Sequence, residues 1–159
     1  MSGQSKGVPQ GASAVIPRLF CRDPGVELEF CTNVLDAAVL TKRPGPDGAI
    51  AHALVTIGAA MVMIESEWPE VANRAPRPDG SSPVALYVYV ENVDATMDRA
   101  MAEGAKMLAP LTNQFWGDRT AWVMDPSGHV WTIATRIEES TEQQRQDRHR
   151  RILEESTGK

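Results

Sequence analysis

One order of elements, strand, helix, strand, strand, strand, occurs twice along the 159 residues, and this duplication restricts the fold more than any other feature. In the first copy, "AVIPRLFC" (14–21) is a short apolar strand. Asp23-Pro24-Gly25 then opens a helix, with Asp as cap and Pro at the first helical position. Val26, Phe30 and Val34 fall four apart and give that helix one apolar stripe. The strands "AAVLTK", "IAHALVTIG" and "AMVMIES" follow, parted by "RPGPDG" and Gly58. In the second copy, "PVALYVYV" (83–90) alternates: Val84, Leu86, Val88 and Val90 share one face, Ala85, Tyr87 and Tyr89 the other. "NVDATMDRAMAEGA" is a helix with Val93, Met97 and Met101 on its core stripe and Gly104 as its terminator. Then come "KMLAPL", "TAWVMD" and "HVWTIA", the last two joined by the turn Asp125-Pro126-Ser127-Gly128.

A four-stranded sheet with one helix buries only its helix-facing side. The expected fold class is therefore α+β: two βαβββ modules forming a curved, partly open mixed sheet or half-barrel around a cavity. The boundaries read as a leader (1–13), a first module (14–66), a Pro/Gly-rich connector (67–81), a second module (82–137) and a charged helical tail (138–159). Ile152 and Leu153 are the tail's only apolar pair, so it is either a solvated surface helix or one that docks on a partner subunit.

A net charge of −5 argues against binding a nucleic-acid backbone, which needs a clustered basic face. The longest apolar runs, such as 59–64 and 84–90, are far too short to span a bilayer. No basic start leads into a hydrophobic region, and two cysteines, Cys21 and Cys31, make no disulfide framework. Cytoplasmic residence with free thiols is the expectation.

The segment closing the second copy, "GDRTAWVMDPSGHVWTIATRIEE", together with "SPVALYVYVENVDA" and "MVMIESEWPE", resembles the vicinal oxygen chelate superfamily of glyoxalase I, bleomycin-resistance proteins and extradiol dioxygenases, most of all its PhnB-like branch. The likeness covers about residues 14 to 140. It implies that a metal, where one is used, takes a ligand from the first and last strand of each module. Those positions carry Pro17 or Arg18, Met63 or Glu65, Tyr87 or Ala85, and Thr132. Glu65 alone is a strong ligand, whereas a catalytic metal wants about three from the protein. The expectation is a metal-free pocket without a cofactor; the alternative is one divalent metal in a rearranged site with Tyr87 and His52. His129, three residues from Thr132, alternates onto the opposite face and reads as structural.

With Thr132 turned to the cavity, alternation brings Tyr87 and Tyr89, and Met63 and Glu65, onto the same side. The candidate ligand-binding residues are then Arg18, Met63, Glu65, Tyr87, Tyr89, Trp116, Trp122 and Thr132, with Arg18 as a salt-bridge partner for Glu65; Trp131 is core. Two functions fit. One is a binding protein of the antibiotic-binding type that holds a small aromatic or cationic molecule. The other is a lyase, isomerase or dioxygenase, metal-dependent or using Glu65 as a general base whose pKa neighbouring methionines raise. A third reading is a regulatory module with a vestigial pocket. The resemblance implies that the two modules pair within one chain or across a domain-swapped dimer, and the exposed concave edges favour a homodimer.

Overall fold

The computed structural model describes residues 7–77 and 82–158, so parts of the leader (1–6) and the connector (78–81) lie outside the described residues. The first module is β1 (Arg18–Cys21), α1 (Pro24–Val34), β2 (Ala38–Pro44), β3 (Ile50–Ile57) and β4 (Ala60–Ser66). The second is β5 (Ala85–Tyr89), α2 (Val93–Ala102), β6 (Lys106–Asn113), β7 (Asp118–Met124) and β8 (Val130–Arg136). A last helix, α3, spans Glu142–Thr157. The two sheets have one topology, β1-β4-β3-β2 and β5-β8-β7-β6, and in each the first-named pair is parallel.

Local chemistry sets the element starts. Asp23 caps α1 by accepting from Gly25 N at 2.9 Å, and Asn92 caps α2 by accepting from Ala95 N at 3.0 Å. β1 is shorter than the apolar run around it because Pro17 has no N–H to give; its carbonyl still accepts from Met63 N at 2.9 Å.

Alternation divides each sheet into two faces. Leu19, Cys21, Ala53, Val55, Val62 and Ile64 turn to the helix side of the first sheet, and Ala121, Val123, Trp131 and Ile133 to that of the second. These residues form one core with Phe30, Val34, Val93 and Met97 from the helices. The modules meet through α1 against α2. Arg99 of α2 donates to the Val34 carbonyl at 2.9 Å, and the Phe30 and Trp131 rings lie 6.4 Å apart. Two stripe assignments are corrected. Val26 is 38% exposed and Met101 44% exposed, because the buried arc of each helix runs through Glu27 and Cys31 in α1 and through Thr96 and Ala100 in α2.

The fold is the expected α+β pair of βαβββ modules, with two separate four-stranded sheets that do not close into a barrel. No described helix is long and apolar enough to cross a membrane.

Candidate ligand site on the open faces of the sheets

The open face of the second sheet is built around one carboxylate. Asp118, the first residue of β7, is 0% exposed. Its Oδ2 accepts from Tyr87 OH at 2.6 Å, Tyr89 OH at 2.8 Å and Trp116 Nε1 at 3.0 Å. Its Oδ1 lies 2.9 Å from Arg136 Nε in an ion pair that lacks hydrogen-bond geometry. Arg136 also donates to Tyr89 OH and to the Trp116 carbonyl. Burial first, and the Asp118 carboxylate second, push the Tyr87 phenol above its ordinary range, so it remains a donor.

Gly117 makes this cluster possible. It sits at φ +99° between Trp116 and Asp118, and its carbonyl accepts from Ile137 N and Glu138 N. A Cβ there would lie 2.3 Å from the Glu138 carbonyl oxygen, so only glycine lets the chain close here.

With the polar ends tied to Asp118, ring surface is what remains on offer. Tyr87 and Tyr89 are 47% and 55% exposed, with ring centroids 5.4 Å apart. Trp122 is 49% exposed and pairs across the strands with Thr132, which in turn pairs with Tyr87. Along the edge of β5, an apolar cleft of about 430 Å³ runs between Tyr87, Tyr89 and Trp131 on one side and Pro17, Gly58 and Val62 on the other. A depression of about 630 Å³ beside Arg22 and the β2–β3 turn has no aromatic ring in its lining.

The open face of the first sheet carries a different group. Arg18 Nε approaches Glu65 Oε2 at 2.6 Å, and His52 Nδ1 lies 3.0 Å from Glu65 Oε1. Arg18 also sits 5.0 Å over the Phe20 ring. Burial alone would raise the Glu65 pKa, but the hydrogen bonds and charges of Arg18 and His52 outweigh it and hold the carboxyl below its usual range. The expected upward shift is thus reversed. Met63 lies beside this group as the strand partner of Arg18.

The eight candidate residues therefore fall into two groups, one on each sheet, and among the described residues no hydrogen bond or ion pair joins the two groups. Tyr87, Tyr89 and Trp116 share one carboxylate, with Trp122 and Thr132 adjacent; Arg18, Met63 and Glu65 stand together on the other sheet. Asp118 and Arg136 were absent from the sequence-derived set. The available signal was parity, since Asp118 shares its face of β7 with Thr120 and Trp122.

Among the described residues no group of three metal-ligating side chains gathers on the open faces, where His52 beside Glu65 is the nearest to one. Of the positions implied by the resemblance, Glu65 alone is a strong ligand, and a guanidinium already occupies its Oε2 and would repel a cation. His129 turns to the helix side as alternation required: its Nε2 lies 3.1 Å from the Phe20 carbonyl and 3.6 Å from Cys21 Sγ. Asp125 holds the preceding turn by accepting from Ser127 N and His129 N, and its other oxygen accepts from Trp131 Nε1 at 2.7 Å. Trp131 is core, as expected.

Paired βαβββ modules with an open, aromatic sheet face define a class of fold. The chain belongs to the Glyoxalase/Bleomycin resistance protein/Dioxygenase superfamily, whose profile matches residues 14–133. It is 34% identical over 129 residues to the uncharacterized protein Rv0887c of Mycobacterium tuberculosis, a match covering 79% of this chain and 76% of that one. Among solved structures it resembles TioX from Micromonospora sp. ML1, with 27% identity, a TM-score of 0.62 and coverage of 79% of this chain and 100% of that one. The fosfomycin resistance protein FosX from Mesorhizobium loti shares the fold at 16% identity and a TM-score of 0.59, over 84% of this chain and 96% of its own.

Proposed function

We propose that the chain is a small-molecule binding protein of the antibiotic-binding type, and that its ligand is planar and aromatic and is held without a metal against Tyr87, Tyr89 and Trp122. The observation that carries this reading is the self-satisfied polar cluster: Asp118 takes up both tyrosine hydroxyls, the Trp116 N–H and Arg136, so the surface left to a ligand is ring face. The adjacent cleft of about 430 Å³ falls in the size range of small-molecule sites. Aromatic is favoured over cationic, because both open-face carboxylates already carry an arginine. A Glu65-based lyase or isomerase would need that carboxylate to accept a proton, which Arg18 and His52 oppose.

The exposed ring faces also favour a homodimer in which a second copy covers part of each open sheet, with domain swapping as one way to do so. Titration of tryptophan fluorescence tests the ligand class. Phenazine, planar and uncharged, is expected to quench saturably, and benzyltrimethylammonium to leave the signal unchanged. Saturation by the cation alone would contradict the proposal.

A further inference from the structure

On the helix side of the first sheet lies a group of side chains that the open-face site does not use. Cys21 from β1, Glu27 from the first turn of α1 and His129 from the β7–β8 turn each bring one donor atom, all within 4.8 Å of one another. From these positions we infer a site for a single zinc-class divalent cation, with Cys21 Sγ, His129 Nε2 and the Glu27 carboxylate as its ligands.

The geometry suits the ion. A tetrahedral zinc bound by a thiolate and an imidazole sets its sulfur and nitrogen about 3.5 Å apart. Cys21 Sγ and His129 Nε2 are separated by 3.6 Å. The third donor is a buried carboxylate with weak partners: Glu27 is 0% exposed, its Oε1 accepts a weak bond from Cys31 Sγ at 3.5 Å, its Oε2 has no partner in good hydrogen-bond geometry, and Ser127 and Asp125 are the polar side chains that interact with it. A weakly partnered carboxylate in a core is costly, and either a proton or a cation relieves it. The acidic Asp125 packs close to it, which adds to the negative field there.

The duplicated fold builds its second copy without these residue types. Two residues before the cap, Cys21 in the first module stands where Val90 does in the second. Four and eight residues after it, Glu27 and Cys31 stand where Thr96 and Ala100 do. The second module fills the same places with side chains that cannot form such a site. The ligands also come from both modules, so a bound ion would pin the β7–β8 turn to α1 and β1. On binding, His129 would give up the Nε2 contact with the Phe20 carbonyl and the thiol would release its proton.

Metal-stripped full-length protein is loaded with Co²⁺, desalted and examined by absorption. The expected result is one Co²⁺ retained per chain, with a thiolate-to-cobalt charge-transfer band that one equivalent of Zn²⁺ removes. Both cysteines are buried on this side of the sheet, so a wild-type band places the ion in this group, and Cys31→Ala, which should keep the band, separates the two sulfurs. Cys21→Ser should abolish the band, and His129→Gln should weaken retention by at least about tenfold. Retention without a thiolate band, no retention at all, or a band that survives in folded Cys21→Ser each overturns the assignment.

Discussion

Four side chains converge on the Asp118 carboxylate, and the cost of removing it measures how much the open face is organised in advance. Asp118→Ala takes the acceptor from two hydroxyls and leaves the indole N–H only its longer bond to Tyr87 OH at 3.3 Å. A loss of about 2–3 kcal/mol in urea unfolding is expected, against about 1 kcal/mol for Tyr89→Phe. Gly117→Ala should cost at least about 2 kcal/mol, since a positive φ and the Glu138 carbonyl both oppose a Cβ. Glu65 supplies a pH test. Its folded pKa lies below the unfolded value, so the stability it contributes is present above about pH 4.5 and is lost as the pH falls through the folded pKa. Glu65→Gln should flatten the acid limb of the stability profile. At this scale, alternation along "PVALYVYV" placed Tyr87 and Tyr89 on the open face, and the Arg18–Glu65 pair was legible from strand position. Asp118 and Arg136 were not, because charged residues at the ends of strands look like solvated turn residues until the tertiary fold buries one of them.

Strand and helix order was legible because both copies carry caps and turns where the chain must change direction. Asp23 and Asn92 open helices, and Gly58 and Gly128 take positive φ at hairpin turns. Helix faces were less legible. Val26 and Met101 fit a four-residue stripe yet sit at its edge, since the covering partner of each helix is the other helix as well as a sheet. The tail formed the helix expected of it, with a capping box between Thr141 and Gln144, and no residue of α3 is buried. It touches the body through a Phe115–His149 stack and an Arg148–Glu138 ion pair. Removing residues 141–159 should therefore change the unfolding free energy by no more than about 1 kcal/mol.

Over the whole molecule, the duplication fixes two sheets with one buried face each, and the helices fuse those faces into a single core. How the two sheets would be placed was the least legible feature, because edge-to-edge closure depends on contacts that no single strand pattern encodes. The outcome, two sheets meeting through α1 and α2, leaves both open faces available for a ligand or a second copy. Light scattering behind size exclusion should give twice the 17.4 kDa chain mass. Substituting Tyr87, Tyr89 and Trp122 together by Ser is expected to weaken binding of the aromatic ligand while the core keeps its fold. The most direct test of the account is a ¹H–¹⁵N chemical-shift map of the protein titrated with phenazine. Saturable shifts concentrated on β5, β7 and β8, including the indole N–H of Trp116 and Trp122, are the expected result. Shifts confined to the depression beside Arg22, or no shifts at saturating phenazine, would contradict it.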